Sequence, residues 1–382
     1  MLRKHYLKEN SIVQTSLAAV LEMDNKQKLQ IAQVIIVALL AVAMIVSLFG
    51  CSAATASNNG NSTEDEAPAN TSPITIVWYP NESANDFEES RAEIGRLIEQ
   101  ATGRPVVQKL TTDYVIAIES IASGSADIAM AMGATGYIQA QSRNPEVGVL
   151  FVNSGESGTL DDAIYYSWLA VRAEDADQYK DGSSYSLKNI KGQTISFVSN
   201  SSTSGFKVPT SNIIDYFASD KLTTDDLVEG GSDAFFSEVL FGGSHQGSAF
   251  NLLSGNADVA AFCDTELQIY VELKKGTENT VGAVYAIKAN ASAPFDTVTG
   301  NEFVVISSTP VLNGPNAYNP KNLSEEEVQA IRDLFTSAEV SNNPLIFYDP
   351  SIEGAMGFYK KTASRGYVLV DDSWYDPLRN MN

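Results

Sequence analysis

"IASGSADIAMA" at 121–131 has a near copy further along the chain, "LLSGNADVAAF" at 252–262. Both carry Ser-Gly-x-Ala-Asp-aliphatic-Ala, which aligns Gly124 with Gly255 and Asp127 with Asp258. Each predicts the same local event: a helix ends at Ser-Gly, where glycine adopts the left-handed cap conformation without a Cβ clash, and the chain turns through Asp into a buried strand. Apolar residues upstream fall at helical spacing, Val115, Ile118, Ile121 and Ala122 in the first copy and Ala249, Leu252 and Leu253 in the second. A helix-turn-strand unit used twice predicts two halves built alike, with Asp127 and Asp258 as turn-formers. Ten residues before each glycine stand Tyr114 and His245, in the first turn of their helices and just after the small N-cap candidates Thr112 and Ser244.

Outward from the repeat, strand and helix signals alternate. "ITIVWY" (74–79) is a short apolar run; Phe87, Ile94, Leu97, Ile98 and Ala101 then recur at helical spacing up to Gly103, a helix stop. Further short apolar runs at 105–110, 127–132, 147–152, 165–171, 194–198, 237–241, 258–263, 281–287 and 302–307 are mostly separated by helix-length segments. The expected class is α/β with largely parallel sheets: two similar open-sheet lobes with a ligand cleft between them. Ligands of such sheets collect beyond the carboxyl ends of the strands, where helix N-termini direct unpaired N–H groups outward.

A third such end is announced by "SNSSTSGFKVP" (199–209), which follows a strand candidate and sets Ser202, Thr203, Ser204 and Gly205 before the segment "VPTSNIIDYFASD". Hydroxyls and amides there can converge on a tetrahedral oxyanion, aided by a helix-end partial charge of roughly half a unit. The composition makes neutral donors the relevant ones. The chain of 382 residues has a formal net charge of −22, and residues 51–382 hold 20 basic against 44 acidic side chains, a net of −24. That balance argues against nucleic acid and anionic membrane surfaces as partners.

The N-terminal region reads as an export and anchoring device. "IAQVIIVALLAVAMIVSLFG" (31–50) is twenty uncharged residues preceded by Lys26 and Lys28. It ends at Leu48-Phe49-Gly50-Cys51, which resembles the lipobox of bacterial lipoproteins, with Cys51 as the lipidated residue; a retained membrane helix is the alternative. Met23 would begin a signal of ordinary proportions, which makes 1–22 a start-site candidate for exclusion. Residues 51–72 have the composition of a flexible tether. After the anchor Cys263 is the only thiol, so no intramolecular disulfide is expected.

Four stretches together resemble the phosphate/phosphonate-binding lipoproteins of ABC importers, a type II branch of the two-lobed solute-binding proteins: "TTDYVIAIESIASGSADIAMAMGATGY" (111–137), "YYSWLAV" (165–171), "LKNIKGQTISFVSNSSTSGFKVP" (187–209) and "FGGSHQGSAFNLLSGNADVA" (241–260). The resemblance implies that the ligand is lined by Tyr114, by Tyr165 or Tyr166, by Ser202, Thr203 and Ser204, by His245, and by Asp264 or Glu266. It departs from the family where Ser-Asn precedes the serines instead of Asp-Pro, and "CDTELQ" leaves the acid open between two carboxylates. It implies a small phosphorus oxyanion as ligand, a permease and ATPase complex as partners, a monomeric receptor lipid-anchored on the extracytoplasmic face of the cell membrane, and no cofactor. The expected lobes are 73–168 plus 285–382 and 169–284.

Other classes fare worse. A sensor of the same ligand without transport reads identically in one chain. A serine hydrolase built on Ser244, His245 and Asp258 lacks the nucleophile elbow, because Gln246 stands where "GGSHQ" would need glycine. No cluster of metal-ligating residues and no glycine-rich nucleotide loop is evident. The charged helix candidate "LSEEEVQAIRDLF" (323–335) reads as scaffold.

Overall fold

The computed structural model describes residues 70–81, 87–352 and 354–381. The expectations for the export signal, for Cys51 and for most of the tether lie outside the described residues. Among the described residues no helix is long and apolar enough to cross a membrane.

The first half of the chain forms β1 (Ile74–Trp78), α1 (Glu88–Thr102), β2 (Val106–Leu110), α2 (Tyr114–Ser123), β3 (Ile128–Met130), α3 (Ala134–Arg143) and β4 (Gly148–Asn153). The second sheet begins at β5 (Ile164–Arg172) and continues through β6 (Thr194–Phe197), α4 (Val208–Tyr216), β7 (Glu238–Phe241), α5 (His245–Leu253), β8 (Val259–Cys263), β9 (Val271–Lys275), β10 (Val284–Ile287) and β11 (Glu302–Leu312). The chain then returns with β12 (Pro315–Tyr318), α6 (Glu325–Phe335) and β13 (Tyr367–Val368) to the first sheet. Strand order is β2-β1-β3-β12-β4-β13 in one sheet and β7-β6-β8-β5-β11-β10-β9 in the other. Both therefore place the third strand beside the first and then insert a strand that has crossed from the other lobe, β12 or β5.

The repeat is real in three dimensions. Asp127 Oδ2 accepts from Thr75 N (2.8 Å) while its own N donates to Thr75 O (2.8 Å). Asp258 does the same to Thr194, at 3.0 and 2.9 Å. Each aspartate thus clamps the start of the central parallel strand of its lobe. Gly124 closes α2 at φ 71°, and Gly255 lies one residue beyond the cap of α5 at φ 79°.

Four expectations are corrected. The sheets are mixed: only β1–β2, β1–β3, β6–β7 and β6–β8 pair in parallel within them, because the crossing strands and later hairpins run antiparallel. The expected lobe boundary at 168/169 falls inside β5 and that at 284/285 inside β10; both strands belong to the second sheet, and β5 pairs with β11 from Ile164↔Leu312 to Arg172↔Phe303. The N-cap of α2 is Asp113, whose carboxylate accepts from Val115 N at 2.8 Å, not Thr112. Val115 is 46% exposed and Tyr114 takes the buried place on α2, since the buried stripe runs Tyr114, Ala117, Ile118, Ile121.

Apolar side chains cover both faces of both sheets. Helix α6 carries a full capping box, with Ser324 Oγ accepting from Glu327 N and Glu327 returning a carboxylate to Ser324 N, and it seals the outer face of the first sheet through Val328, Ile331 and Phe335. Cys263 is a buried free thiol.

Candidate functional site

The chain passes between the sheets twice, after β4 and after β11, and the two passages are tied together: Asn313 N donates to Ala163 O (2.9 Å) and Asn313 Nδ2 to Asn153 O (2.7 Å). Beside them the lobes meet over a small cavity of about 90 Å³. Tyr114, Tyr165, Ser202, Thr203, Ser204, His245 and Glu266 all line it. Tyr166 and Asp264 do not; they line a neighbouring, larger cavity. The strand period explains the tyrosines, since consecutive residues of β5 face opposite sides of the sheet. Asp264 is occupied structurally, accepting from Tyr166 N (2.8 Å) and Asn279 Nδ2 (3.1 Å), and burial pushes its carboxyl up to about 6.

Each donor is aimed by local chain geometry. Past β6, residues Thr203–Lys207 form one wide π-helical turn that runs directly into α4. Ser202 caps it, its Oγ accepting from Gly205 N at 3.1 Å. A Cβ on Gly205 would lie 2.2 Å from Val198 Cγ2, so only glycine lets the turn fold back on the strand. Ser202, Thr203 and Ser204 are at most 2% exposed, and the first N–H groups of such a turn have no partner within it. Thr203 Oγ1 reaches across to the other lobe and accepts from Thr135 N at 2.9 Å, in the first turn of α3. Ser201 Oγ also crosses, donating to Gln139 Oε1 at 2.9 Å. The cleft is closed in this structure.

His245 opens α5 behind its cap Ser244, whose Oγ accepts from Gly247 N at 2.9 Å. Its Nδ1 accepts from Cys263 N at 3.2 Å. A ring nitrogen that accepts carries no proton, so the neutral imidazole keeps its proton on Nε2 as a donor. Burial pulls the imidazole down to about 3, which holds this tautomer through the physiological range. These contacts also take the three hydrolase candidates apart: Ser244 is a cap, His245 leans on a backbone amide, and Asp258 is bound to Thr194 N and Arg172.

The first lobe contributes Tyr114, whose hydroxyl donates to Asn81 Oδ1 and whose phenol burial holds well above its usual pKa. Burial likewise raises Tyr165, and the neighbouring Ser204 offsets part of that rise. Sequence reasoning missed the asparagines and the start of α3. Ala131 sits at φ 55°, an uncommon conformation for a residue with a Cβ. Two asparagines hold it there, Asn81 Nδ2 donating to Ala131 O and Asn316 Oδ1 accepting from Ala131 N, both at 3.0 Å. The strained residue turns the chain from β3 into α3, whose N-cap Gly133 lines the cavity. The signal was present as "AMGATG" after a strand, a glycine placed to start a helix.

Electrostatically the cavity is unusual for an anion site: among the described residues its lining contains no lysine or arginine, and Glu266 is the one charged residue. It offers instead three hydroxyl side chains in a row, two tyrosines, one imidazole N–H and four converging helix or turn starts, a set that can surround a small oxyanion with neutral donors.

The comparisons with known proteins agree with this geometry. Residues 76–375 match the family described as ABC transporter, phosphonate, periplasmic substrate-binding protein. A curated relative, the phosphate-import protein PhnD of Mycolicibacterium smegmatis, is 28% identical over 219 residues, 54% of this chain and 61% of the relative; the match thus spans less than two thirds of that protein's length. Among solved structures, a binding protein component of a Pseudomonas aeruginosa ABC phosphonate transporter superposes with TM-score 0.56 at 20% identity, covering 81% of this chain and 85% of the other. The Prochlorococcus marinus PhnD1 protein in complex with methylphosphonate gives TM-score 0.55 at 15% identity, covering 81% and 97%. These two structures share the type II two-lobed fold of periplasmic binding proteins with this chain. With a model match running from β1 nearly to the C-terminus, this chain belongs to the ABC transporter phosphonate periplasmic substrate-binding protein family.

Proposed function

We propose that this chain is the extracytoplasmic receptor of an ABC importer and that it closes its two lobes around a phosphonate- or phosphate-type oxyanion. The observation that carries the reading is the buried Ser202-Thr203-Ser204 turn facing Tyr114 and the Nε2–H of His245 in a cavity without a lysine or arginine among its described lining residues. A charge-assisted hydrogen bond nets about 1.5–3 kcal/mol, so several of them exceed the roughly 8 kcal/mol of micromolar binding by enough to offset ordering costs. The relatives supply the two ligands to test, phosphate from the name of one and methylphosphonate from the complex of another.

Glu266 sets the protonation state of the guest. An ionised carboxylate accepts and never donates, and its charge acts on the neighbouring Tyr114 and Tyr165. A ligand that keeps a proton or carries an amine can donate to it; a fully deprotonated oxyanion is repelled. The two passages at 154–163 and 313–314 serve as the hinge, moving the body of the first sheet against that of the second. Thr203 meeting the amide of Thr135 marks where closure brings the lobes together. The closed form is what a permease and its ATPase would recognise, with Cys51 as the lipid anchor, no catalytic step, and a monomer as the working unit.

The test replaces Ser202, Thr203 and Ser204 together by Ala and titrates phosphate and methylphosphonate calorimetrically. Binding of both should weaken by more than about 10³-fold, while Tm drops by the loss of the Ser202 cap and of the Thr203–Thr135 hydrogen bond, about 4–8 °C. Unchanged affinity in a folded variant would remove the cup.

A further inference from the structure

The hydroxyl run "SNSSTSG" (199–205) is longer than the cup requires. Ser202, Thr203 and Ser204 line the cavity, whereas Ser199 and Ser201 do not. Ser199 shapes the turn, its carbonyl accepting from Ser202 N (2.9 Å) and its Oγ from Ser201 N (3.3 Å). With its backbone held in this way, Ser201 sends its hydroxyl across to the first lobe, where Gln139 Oε1 of α3 accepts from it at 2.9 Å. Ser201 is 5% exposed, so the bond is shielded from water, and Gln139 also stands outside the cavity lining. The lobes are thus joined here by a pair of side chains that a guest in the cup does not touch.

The surroundings make this contact part of a fitted interface. Val198 and Val208, on either side of the serine turn, are buried in one apolar cluster with Tyr114, Ala134 and Tyr137 of the first lobe. A Cβ on Gly133 would lie 3.1 Å from Thr203 Oγ1, so the missing side chain at the start of α3 is what lets the two lobes approach this closely. A second junction uses the opposite face of the first sheet, since β1 gives Val77 to the cluster just named and Ile76 and Trp78 to another. Ile269 of the second lobe packs on that other cluster, which holds Phe87 and Phe358, and Gln268 Nε2 donates to Phe358 O at 3.3 Å. Gln268, Ile269 and Phe358 all line the cup, so that junction can feel the guest directly. The Gln139–Ser201 bond feels it only through closure.

Building on the closure of the cup proposed above, we infer that Gln139 and Ser201 are positioning residues that form a latch, a bond made only when the lobes close, which sets the affinity of the receptor without touching its ligand. A ligand that needs the closed form binds with an apparent Kd raised by the reciprocal of the closed fraction, so the latch tightens every ligand by one common factor. A residue that contacts the guest acts otherwise, because phosphate and methylphosphonate present different atoms to it. The test titrates both ligands into Ser201→Ala, Gln139→Met and the double variant. Each single variant should weaken both ligands by the same factor, about three- to tenfold, as the net worth of one hydrogen bond requires. The double variant should lose no more than either single one, because the two side chains share that bond. Gln139→Glu keeps an oxygen acceptor at the same reach and should bind both ligands more tightly than Gln139→Met, which separates loss of the bond from a disturbance of α3. Unchanged affinities in Ser201→Ala and Gln139→Met overturn the latch and leave the cup standing. Unequal losses for the two ligands overturn it by making the altered residue a ligand contact, and losses that add in the double variant, or a Gln139→Glu as weak as Gln139→Met, overturn it as well. If wild-type protein binds neither phosphate nor methylphosphonate, the cup itself is wrong and the latch falls with it.

Discussion

The two lobes repeat one plan and fill it with different chemistry. In each, a helix opening on a ring side chain points into the cleft, Tyr114 in one and His245 in the other, and an aspartate ten or more residues on clamps the central strand. The first lobe positions its lining with side-chain amides: Asn81 and Asn316 pin Ala131, and Asn81 also receives the Tyr114 hydroxyl. The second positions its lining with backbone: Cys263 N orients His245, and the π-helical turn presents Ser202 to Ser204. A duplicated plan therefore fixes where helix ends point, and the residues that use those ends vary independently.

The clamping aspartates should show the largest difference between lobes. Asp127 is 3% exposed and accepts from both Thr75 N and Asn322 Nδ2 at 2.8 Å, whereas the Asp258 side chain is 39% exposed and shares Arg172 with two other carboxylates. Asp127→Ala should cost about 3 kcal/mol of unfolding free energy and Asp258→Ala about 1, read by urea denaturation. Equal costs would mean that burial does not separate the two clamps.

The ring residues come next. His245→Ala removes a donor to a charged guest and should weaken methylphosphonate by about 10–150-fold, and Tyr114→Phe by about 2–10-fold, because its hydroxyl is already committed to Asn81. The pH dependence separates them from a charge mechanism. With the imidazole depressed to about 3, its neutral form persists as pH falls through 6.5, so affinity should show no inflection there from His245. The same depression stabilises the fold above the unfolded imidazole pKa, and that contribution is lost as pH falls towards the folded value. An affinity that rises with imidazole protonation would replace the neutral donor by a cation.

The smallest test concerns the turn glycines. Gly124→Ala and Gly255→Ala both force a Cβ into the left-handed region, at φ 71° and 79°, and each should cost about 1–2 kcal/mol. Gly255 has open space around the added carbon, and Gly124 meets the flexible Lys321 side chain at 2.7 Å and the Asn319 amide at ordinary contact distance, 3.4 Å, so the two values should agree within about 0.5 kcal/mol.

Much of the site was legible because its parts are local. The serine run, the capped start at His245 and the repeated Ser-Gly-x-Ala-Asp turn are short-range patterns, and the structure brings Tyr114, Tyr165, Ser202, Thr203, Ser204, His245 and Glu266 to one cavity. What escaped depends on contacts between distant segments. Asn316 matters because β12 returns beside β3, and Asp264 turned out to be bound to the backbone of Tyr166 because β8 lies against β5. The strand run at 302–307 was visible, yet its extension to Leu312 and its place in the second sheet follow from pairing with β5.

The sequence alone determined that this chain builds two related α/β halves and that hydroxyls and helix starts would line the cleft between them, since period, capping and turn chemistry act over a few residues. Only the tertiary structure decided which tyrosine and which carboxylate face the cup, and where the chain crosses between lobes. Those outcomes rest on strand order and on which face of a sheet meets the other lobe, and both are set by pairing between residues far apart in the chain.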